Sequence, residues 1–586
     1  MTDLTPTLRA QLLELLMPDL RFWSDDERAA PPPVTRLPPE LAALLREYPF
    51  GGVILFRENL VDTHQIVALT DELAQAAPTG RFIAIDQEGG TVTRIAGGLE
   101  MPGNMALGAC DDLGVTTTSS AMLGAELRAL GFNFVFAPVL DVNSNPANPI
   151  VGVRSFGSDP ALVARHGRAY IDGLDAQGLA ACAKHFPGHG DTETDSHHAT
   201  PVIRRDRAAF EAVDLVPFAS AIAHGVDCIM TAHIVAPALD DAATWSDLAQ
   251  APVPTPATLS RPIMTGLLRD TLGYEGVIAS DALDMKGITD HFGPVQATLH
   301  CLRAGVDLLL MPIRLWSPER IAAFRAWFDE VLRECARDPA LRAHVTRASA
   351  RLLALKARRG IARHAATPLA QRQAQAARVV LCDDHRQAQE AMAAAAITLQ
   401  RNAAGVLPWR VRPDDHVLVV SDHAILADEA TATIAALSAG HARWARPSDA
   451  LRDPHESADK LLLLTCNLTA PEPALDALVA RARERGVPLV LLSCHNPYDI
   501  RHVAGVDTNV LVYGASGVDQ TNYTERRFRL NLAQALRKVF GATSAAAFSG
   551  RAPVQIEALP GPAQADEATT PSISAEEKPY LAMRAR

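Results

Sequence analysis

The chain has 586 residues, 48% apolar and only 5% aromatic, and its 55 basic against 67 acidic side chains give a formal charge of −12. That length exceeds what one core fills, so two or more domains are expected. The acidic balance offers no basic stripe to offset phosphate repulsion, which argues against a nucleic-acid partner and fits an enzyme acting on a neutral or weakly charged small molecule. No run of about 18 to 20 uncharged apolar residues occurs, so no membrane-spanning helix is expected. The first residues show neither the basic nor the apolar region of a leader. The eight cysteines are scattered without a C-x-x-C pair and read as buried free thiols of a reducing compartment. A cytoplasmic location follows.

In chain order, short apolar runs at 52–56, 82–85, 134–137, 179–183, 228–230, 276–279 and 306–310 alternate with helical stretches. Uncharged strands between helices imply a parallel sheet covered on both faces. Seven or eight such units in about 300 residues fit a TIM-type (β/α)8 barrel better than its rival, an open doubly wound sheet. Residues 361–376 read as a linker. Runs at 416–420, 460–464, 488–492 and 509–513 then predict a smaller α/β sandwich domain. The expected layout is a barrel over 1–360, the linker, a sandwich over 377–545, and a mostly disordered Ala/Ser/Pro/Glu-rich tail over 546–586.

The strand ends carry the chemistry. Arg57-Glu58, Asp86-Gln-Glu88, Asp141, Lys184-His185, His233 and Ser280-Asp281 each follow an apolar run. In a barrel they converge on one mouth. Asp281, fixed at a strand end, suits a nucleophile or, equally, a cap of the next helix. Asp284, further from the strand, is the better cap candidate. Asp86 with Arg94, across the Gly89-Gly90 turn, is a plausible sugar-hydroxyl pair. Arg154 lies in a Pro/Gly-rich loop without an acidic neighbour in sequence and reads as awaiting a ligand oxygen.

The densest cluster is Lys184-His-Phe-Pro-Gly-His-Gly-Asp-Thr-Glu-Thr-Asp-Ser-His-His198. A metal site from His185, His189, Asp191 and His197 is one reading. Pro187 and Gly188 keep the His-x-x-x-His spacing off a helix face, so no metal is expected. The other reading is a dyad in which the Asp195 carboxylate holds one nitrogen of His197 and the other nitrogen passes a proton.

These segments resemble glycoside hydrolase family 3, within it the bacterial β-N-acetylglucosaminidase (β-hexosaminidase) branch. The resemblance rests on Gly51-Gly-Val-Ile-Leu-Phe-Arg57, Ile85-Asp-Gln-Glu-Gly-Gly90, Ala137-Pro-Val-Leu-Asp141, Arg154-Ser-Phe-Gly157, Lys184-His-Phe-Pro-Gly-His-Gly-Asp-Thr192, Asp195-Ser-His197, Met230-Thr-Ala-His233 and Ser280-Asp-Ala-Leu-Asp-Met285, in the family's order. Ile397-Thr-Leu-Gln-Arg-Asn402 and Asn496-Pro-Tyr-Asp499 look like its sandwich domain. The resemblance implies a retaining mechanism with Asp281 as nucleophile and His197–Asp195 as acid/base. It makes Asp86, Arg94, Arg154, Lys184 and His185 the sugar-binding residues, and assigns His189 and Asp191 to loop shape. It implies no cofactor, and a GlcNAc-containing glycoside, drawn from peptidoglycan turnover, as the small-molecule partner. A β-N-acetylglucosaminide phosphorylase or a broader β-glycosidase on the same scaffold is the alternative, and a non-catalytic sugar-binding protein is disfavoured by the intact Asp281 and His197.

Overall fold

The computed structural model describes residues 5–24, 31–76, 80–193, 200–361, 367–403, 405–410, 412–437, 440–452, 458–514, 529–541 and 548–556. The strands of the first unit are β1 (Leu16–Met17), β2 (Gly52–Leu55), β3 (Phe82–Ile85), β4 (Phe134–Val135), β5 (Ala180–Phe186), β6 (Cys228–Thr231), a hairpin of β7 (Ala243–Ser246) and β8 (Ala251–Pro254), β9 (Val277–Ala279) and β10 (Leu309–Leu310). Strands β2-β3-β4-β5-β6-β9 form a six-stranded parallel sheet, and β1 pairs with β10. Single parallel bridges, Asp19 to Ile54 and Ala279 to Leu308, tie that pair to the two edges, so the sheet curls on itself. Every residue of these parallel strands is buried, as uncharged strands with helices outside and side chains inside require.

The helices between the strands begin where the sequence places acceptors. The side chains of Asp62, Asp112, Asp159, Ser317 and Asp338 each take a backbone N–H of the first turn. The helix Pro339–Arg358 closes the end opposite the candidate chemistry. Its Arg351 reaches buried Asp307 at 3.1 Å, Arg358 reaches buried Asp227 at 2.7 Å, and Lys356 Nζ donates to the Gly80 carbonyl at 3.1 Å.

The second sheet has the order β11-β16-β15-β14-β12-β13: β11 (Thr398–Asn402), β12 (His416–Val420), β13 (His441–Ala445), β14 (Lys460–Thr465), β15 (Leu489–Ser493) and β16 (Thr508–Leu511). Only β11 runs antiparallel. Side chains alternate between two apolar layers. Val417, Val419, Leu462 and Leu492 face Ile434 and Leu536, while Leu418, Leu461, Leu463 and Leu491 face Leu475 and Leu478.

The structure departs from the sequence reading in four places. Strand β5 runs three residues past 183, so Lys184 and His185 lie within it. Strands β1, β11 and β13 and the β7–β8 hairpin were not anticipated: β1 is two residues long, and β11, β13 and β7 carry polar residues along their length. The helix Leu369–Val379 begins inside the predicted linker and packs on the first unit, with Gln373 Nε2 donating to the His64 carbonyl at 3.0 Å and Arg372 paired with Asp71. Residues 548–556, assigned to the tail, are docked: Arg551 N donates to the Ala109 carbonyl at 2.9 Å, Ser158 N donates to the Pro553 carbonyl at 3.0 Å, and Val554 and Ile556 are buried. Residues 557–586 lie outside the described residues.

Candidate active site

The carboxyl ends of β3, β5, β6 and β9 open into a cavity of about 690 Å³, lined by Asp86, Glu88, Arg94, Arg154, Lys184, His185, His189 and Asp281 among others. At β3 the chain leaves the sheet through Asp86 and Glu88. Across it, at the end of β5, Lys184 Nζ lies 2.7 Å from Asp86 Oδ1 and 2.7 Å from Glu88 Oε1. Arg154 closes the network with a two-pronged contact, Nε to Glu88 Oε2 at 2.9 Å and Nη2 to Glu88 Oε1 at 2.8 Å. Two carboxylates and two cations share this buried patch, so the formal charges cancel.

Burial alone would raise Glu88, but Arg154 and Lys184 outweigh it and hold the carboxyl well below the ordinary range. Burial likewise works against Arg154 and Lys184, and their carboxylate partners overcome it and hold both cationic. Glu88 has 1% side-chain exposure and both its oxygens accept from these cations, whereas Asp86 lines the cavity with 19% side-chain exposure. Glu88 is therefore an anchor for Arg154 and Lys184, and Asp86 is the carboxylate a ligand can meet. Arg154 does have an acidic partner, which corrects the unpaired reading. Glu88 lies 66 positions away, so no local pattern pairs them. Arg94 lines the same cavity; its backbone N donates to Gln87 Oε1 at 2.7 Å and its guanidinium lies 6.0 Å from the Phe56 ring centre.

Asp141, at the carboxyl end of β4, is fully buried and organises the histidines. Its Oδ2 is 2.7 Å from His185 Nδ1, and its Oδ1 accepts the backbone N–H groups of His185 at 3.1 Å and His189 at 2.7 Å. A carboxylate only accepts, so His185 Nδ1 carries a proton and Nε2 is left for a ligand. Burial would raise Asp141, but His185 and His189 outweigh it and lower it. His189, assigned to loop shape, also lines the cavity; burial pushes its imidazole down to about 4 despite nearby Asp141. Asp191 belongs to the loop's foot, where Arg205 spans it and buried Asp214 at 2.8 Å each. Gly190 is required there, because a Cβ would meet the Val142 carbonyl oxygen at 1.7 Å.

Asp281 follows β9 by two residues and is half-buried in the cavity wall. Its backbone N–H donates to Thr231 Oγ1 at 3.2 Å, and its Oδ1 accepts the Ala282 N–H at 2.7 Å. His233 Nε2 donates to the Ala282 carbonyl at 2.9 Å, and Ser280 Oγ accepts the Leu310 N–H at 2.9 Å. The carboxylate thus sits on a backbone fixed from both neighbouring strands. The next helix starts at Lys286 without a side-chain cap, so neither Asp281 nor Asp284 is its cap; Asp284 pairs with Arg314 at 3.0 Å. Asp195 and His197 lie outside the described residues. No group of three or more potential metal ligands occurs among the described residues.

The second unit borders the cavity through Asn467, His495 and Asn496, which the sequence reading did not single out as site residues. Each stands just past a strand of the second sheet, a position that strand-end reading applies to as well as to the first unit. Asn496 Oδ1 accepts the Val153 N–H at 3.0 Å, next to Arg154, and Asn143 Nδ2 donates to the Tyr498 hydroxyl at 2.8 Å.

Carboxylates and cations gathered at the carboxyl ends of a curled parallel sheet mark the position where enzymes of this architecture place their chemistry. Residues 7–349 match the family model for the glycosyl hydrolase family 3 N-terminal domain, and the chain belongs to that family of glycosidases. It is 41% identical over 446 residues to β-hexosaminidase A of Pseudoalteromonas piscicida, covering 72% of this chain and 71% of that one. A β-hexosaminidase of Chromobacterium violaceum is 38% identical over 268 residues, 44% of this chain but 71% of its own, and is therefore markedly shorter. Among solved structures, a glycoside hydrolase family 3 β-N-acetylglucosaminidase from Paenibacillus sp. str. FPU-7 superposes with a TM-score of 0.76 at 31% identity, over 94% of this chain and 99% of that chain.

Proposed function

We propose that this glycosidase is a retaining exo-β-N-acetylglucosaminidase that hydrolyses terminal β-linked GlcNAc, with peptidoglycan fragments as its substrates and the cytoplasm as its place. The observation that carries this reading is Asp281, held rigidly in one cavity with Asp86, Arg94, Arg154, Lys184 and His185. The named relatives, β-hexosaminidases and a β-N-acetylglucosaminidase, supply the sugar. Eight parallel strands linked through two edge bridges support a (β/α)8 barrel over 1–360, followed by an α/β sandwich over 377–545.

In this mechanism the Asp281 carboxylate attacks the anomeric carbon while protonated His197 gives its proton to the leaving oxygen. A covalent glycosyl-enzyme forms and the aglycone departs. His197, held by Asp195, then takes a proton from water, whose oxygen attacks the anomeric carbon and releases Asp281. Asp86 accepts sugar hydroxyls. Lys184 spends two of its three donors on Asp86 and Glu88 and keeps one for the ligand. His185 presents Nε2.

The test compares aryl β-GlcNAc, β-glucoside and β-xyloside, each with and without phosphate. Release from aryl β-GlcNAc without phosphate is expected, and it should vanish in a folded Asp281→Ala variant. Near-wild-type turnover in that variant would overturn the nucleophile. Phosphate-dependent formation of a sugar 1-phosphate would replace hydrolysis by phosphorolysis.

A further inference from the structure

The ladder between β6 and β9 ends at Met230 and Ala279, short of Asp281. The next backbone donor, Ser280 N, still reaches a backbone acceptor, the Leu308 carbonyl at 2.8 Å. Asp281 N turns to a side chain instead and donates to Thr231 Oγ1 at 3.2 Å. Thr231 is the last residue of β6, and its hydroxyl lies 2.8 Å from Thr258 Oγ1. Thr258 sits in the short 3-10 turn Ala257–Leu259, which follows the β7–β8 hairpin and is pinned by Ala257 N on the Ile234 carbonyl at 2.7 Å. Both threonines are fully buried.

The hydroxyl protons give the pair a direction. Among the described residues Thr231 Oγ1 touches only the Asp281 N–H, a donor, and Thr258 Oγ1, so its proton goes to Thr258 and its lone pairs face Asp281. The Thr258 proton is then left for the Ala232 carbonyl at 2.9 Å or for His233 Nδ1 at 2.8 Å. Ala232 N in turn donates to the Phe186 carbonyl at 2.7 Å, at the end of the strand that carries Lys184 and His185. A series of buried hydrogen bonds therefore links the backbone of Asp281 to the strand of two residues assigned to the sugar, and bonds in such a series polarise one another.

Neither hydroxyl serves the sheet, whose ladder is backbone to backbone. Valine at either position would have nearly the same shape and would bury no polar group. The backbone donor that the pair satisfies is that of Asp281, whose Oδ1 accepts the Ala282 N–H at 2.7 Å.

We propose that Thr231 and Thr258 are positioning residues for Asp281: their hydroxyls set the backbone from which its carboxylate reaches the anomeric carbon. That role rests on the reading of Asp281 as the nucleophile.

The test measures kcat and KM for aryl β-GlcNAc in the full chain, with thermal unfolding on the same preparations. Thr231→Val should lower kcat about 10- to 100-fold and leave KM within about twofold, because a displaced reacting group slows the chemistry while the sugar contacts stay. Thr231→Ser, which keeps the hydroxyl, should recover most of kcat. Thr258→Val should lower kcat in the same sense. The double valine variant should fall no further than Thr231→Val, since the series is already cut at its first bond. A pair that only stabilised the core would lower the melting temperature without splitting kcat from KM. Wild-type kcat in Thr231→Val, or a raised KM at unchanged kcat, overturns the inference; an additive fall in the double variant overturns the serial arrangement. Should Thr231→Val fail to fold, wild-type kcat in Thr258→Val is the overturning result. A folded Asp281→Ala variant separates the two failures. If it turns over substrate, the nucleophile reading and this inference fall together; if it is inactive while the valine variants are not slowed, this inference alone falls.

Discussion

Glu88 is the residue whose replacement should say most about this site. It accepts three charge-assisted hydrogen bonds, at 2.9 and 2.8 Å from Arg154 and 2.7 Å from Lys184, with 1% of its side chain exposed. Glu88→Gln keeps the shape and removes the charge. Two buried cations then share one carboxylate, Asp86, and an amide nitrogen faces a guanidinium or an ammonium. Breaking a buried ion pair from one side costs about 3 to 5 kcal/mol, because the charge left behind stays desolvated. In a unit of about 350 residues, whose unfolding entropy is roughly 0.7 kcal/mol/K, that corresponds to a drop in melting temperature of roughly 4 to 7 °C. The kinetic signature should be distinct from that of a nucleophile variant. Arg154 and Lys184 lose their common anchor, so KM for aryl β-GlcNAc should rise about tenfold or more while kcat falls less. Thermal unfolding by circular dichroism and initial-rate kinetics on the same preparation read both quantities. A variant within about 1 kcal/mol of wild type, with an unaltered KM, would refute the view that Glu88 holds two cations proposed to bind the sugar.

His189 gives a pH prediction. Its imidazole is lowered in the folded state, so the stability it contributes is present above the unfolded value near 6.5 and is lost as pH falls toward about 4. His189→Gln should flatten that acid loss by roughly 2 to 4 kcal/mol, read by chemical denaturation across the window; an unchanged slope would rule out burial of the neutral ring. His233→Ala frees the carbonyl beside Asp281 and should lower kcat roughly 10- to 100-fold with little change in KM, as displacement of a reacting group does; a pure KM effect would place His233 in binding instead. Gly190→Ala forces the loop off the Val142 carbonyl and should cost at least about 2 kcal/mol. An unperturbed melting curve would show that the loop does not pack there.

The apolar runs of the first unit were legible because each is a fully buried strand bounded by charge or glycine, and β3, β6 and β9 fall where those runs stand. Two-residue β1 was not, since pairing with β10, nearly three hundred positions away, makes it a strand. Strand-end reading found Asp86, Asp141, Lys184, His185 and Asp281, whose convergence follows from the parallel sheet. It did not find who pairs with whom. The partner of Arg154 is set by the path of the loop at 148–154, which Asn148 fixes by accepting the Ile150 and Val151 N–H groups at 2.9 and 2.7 Å. Nor did it place on the cavity wall His189, which was assigned to loop shape and whose position depends on the backbone bond to Asp141. Composition cannot encode a contact that exists only once two strands have been threaded into one sheet.

Arg154 shows how the two units depend on each other. Its guanidinium is held by Glu88 from the first sheet, while its backbone is held at two points. Asn104 Nδ2 donates to the Arg154 carbonyl at 2.7 Å, and the preceding N–H, of Val153, donates to Asn496 Oδ1 of the second unit at 3.0 Å. Asn104 opens the helix Asn104–Cys110, whose Met105, Ala106 and Ala109 pack in one apolar cluster with Tyr498, Leu511 and Tyr513. Burial of that cluster therefore fixes both backbone anchors of an arginine that lines the cavity. A second unit that only stabilised the first would need the apolar cluster and nothing more. Placing an asparagine of the same Asn496-Pro-Tyr-Asp499 segment on the arginine's loop, and the neighbouring His495 on the cavity rim, ties the docking of the units to the shape of the cavity.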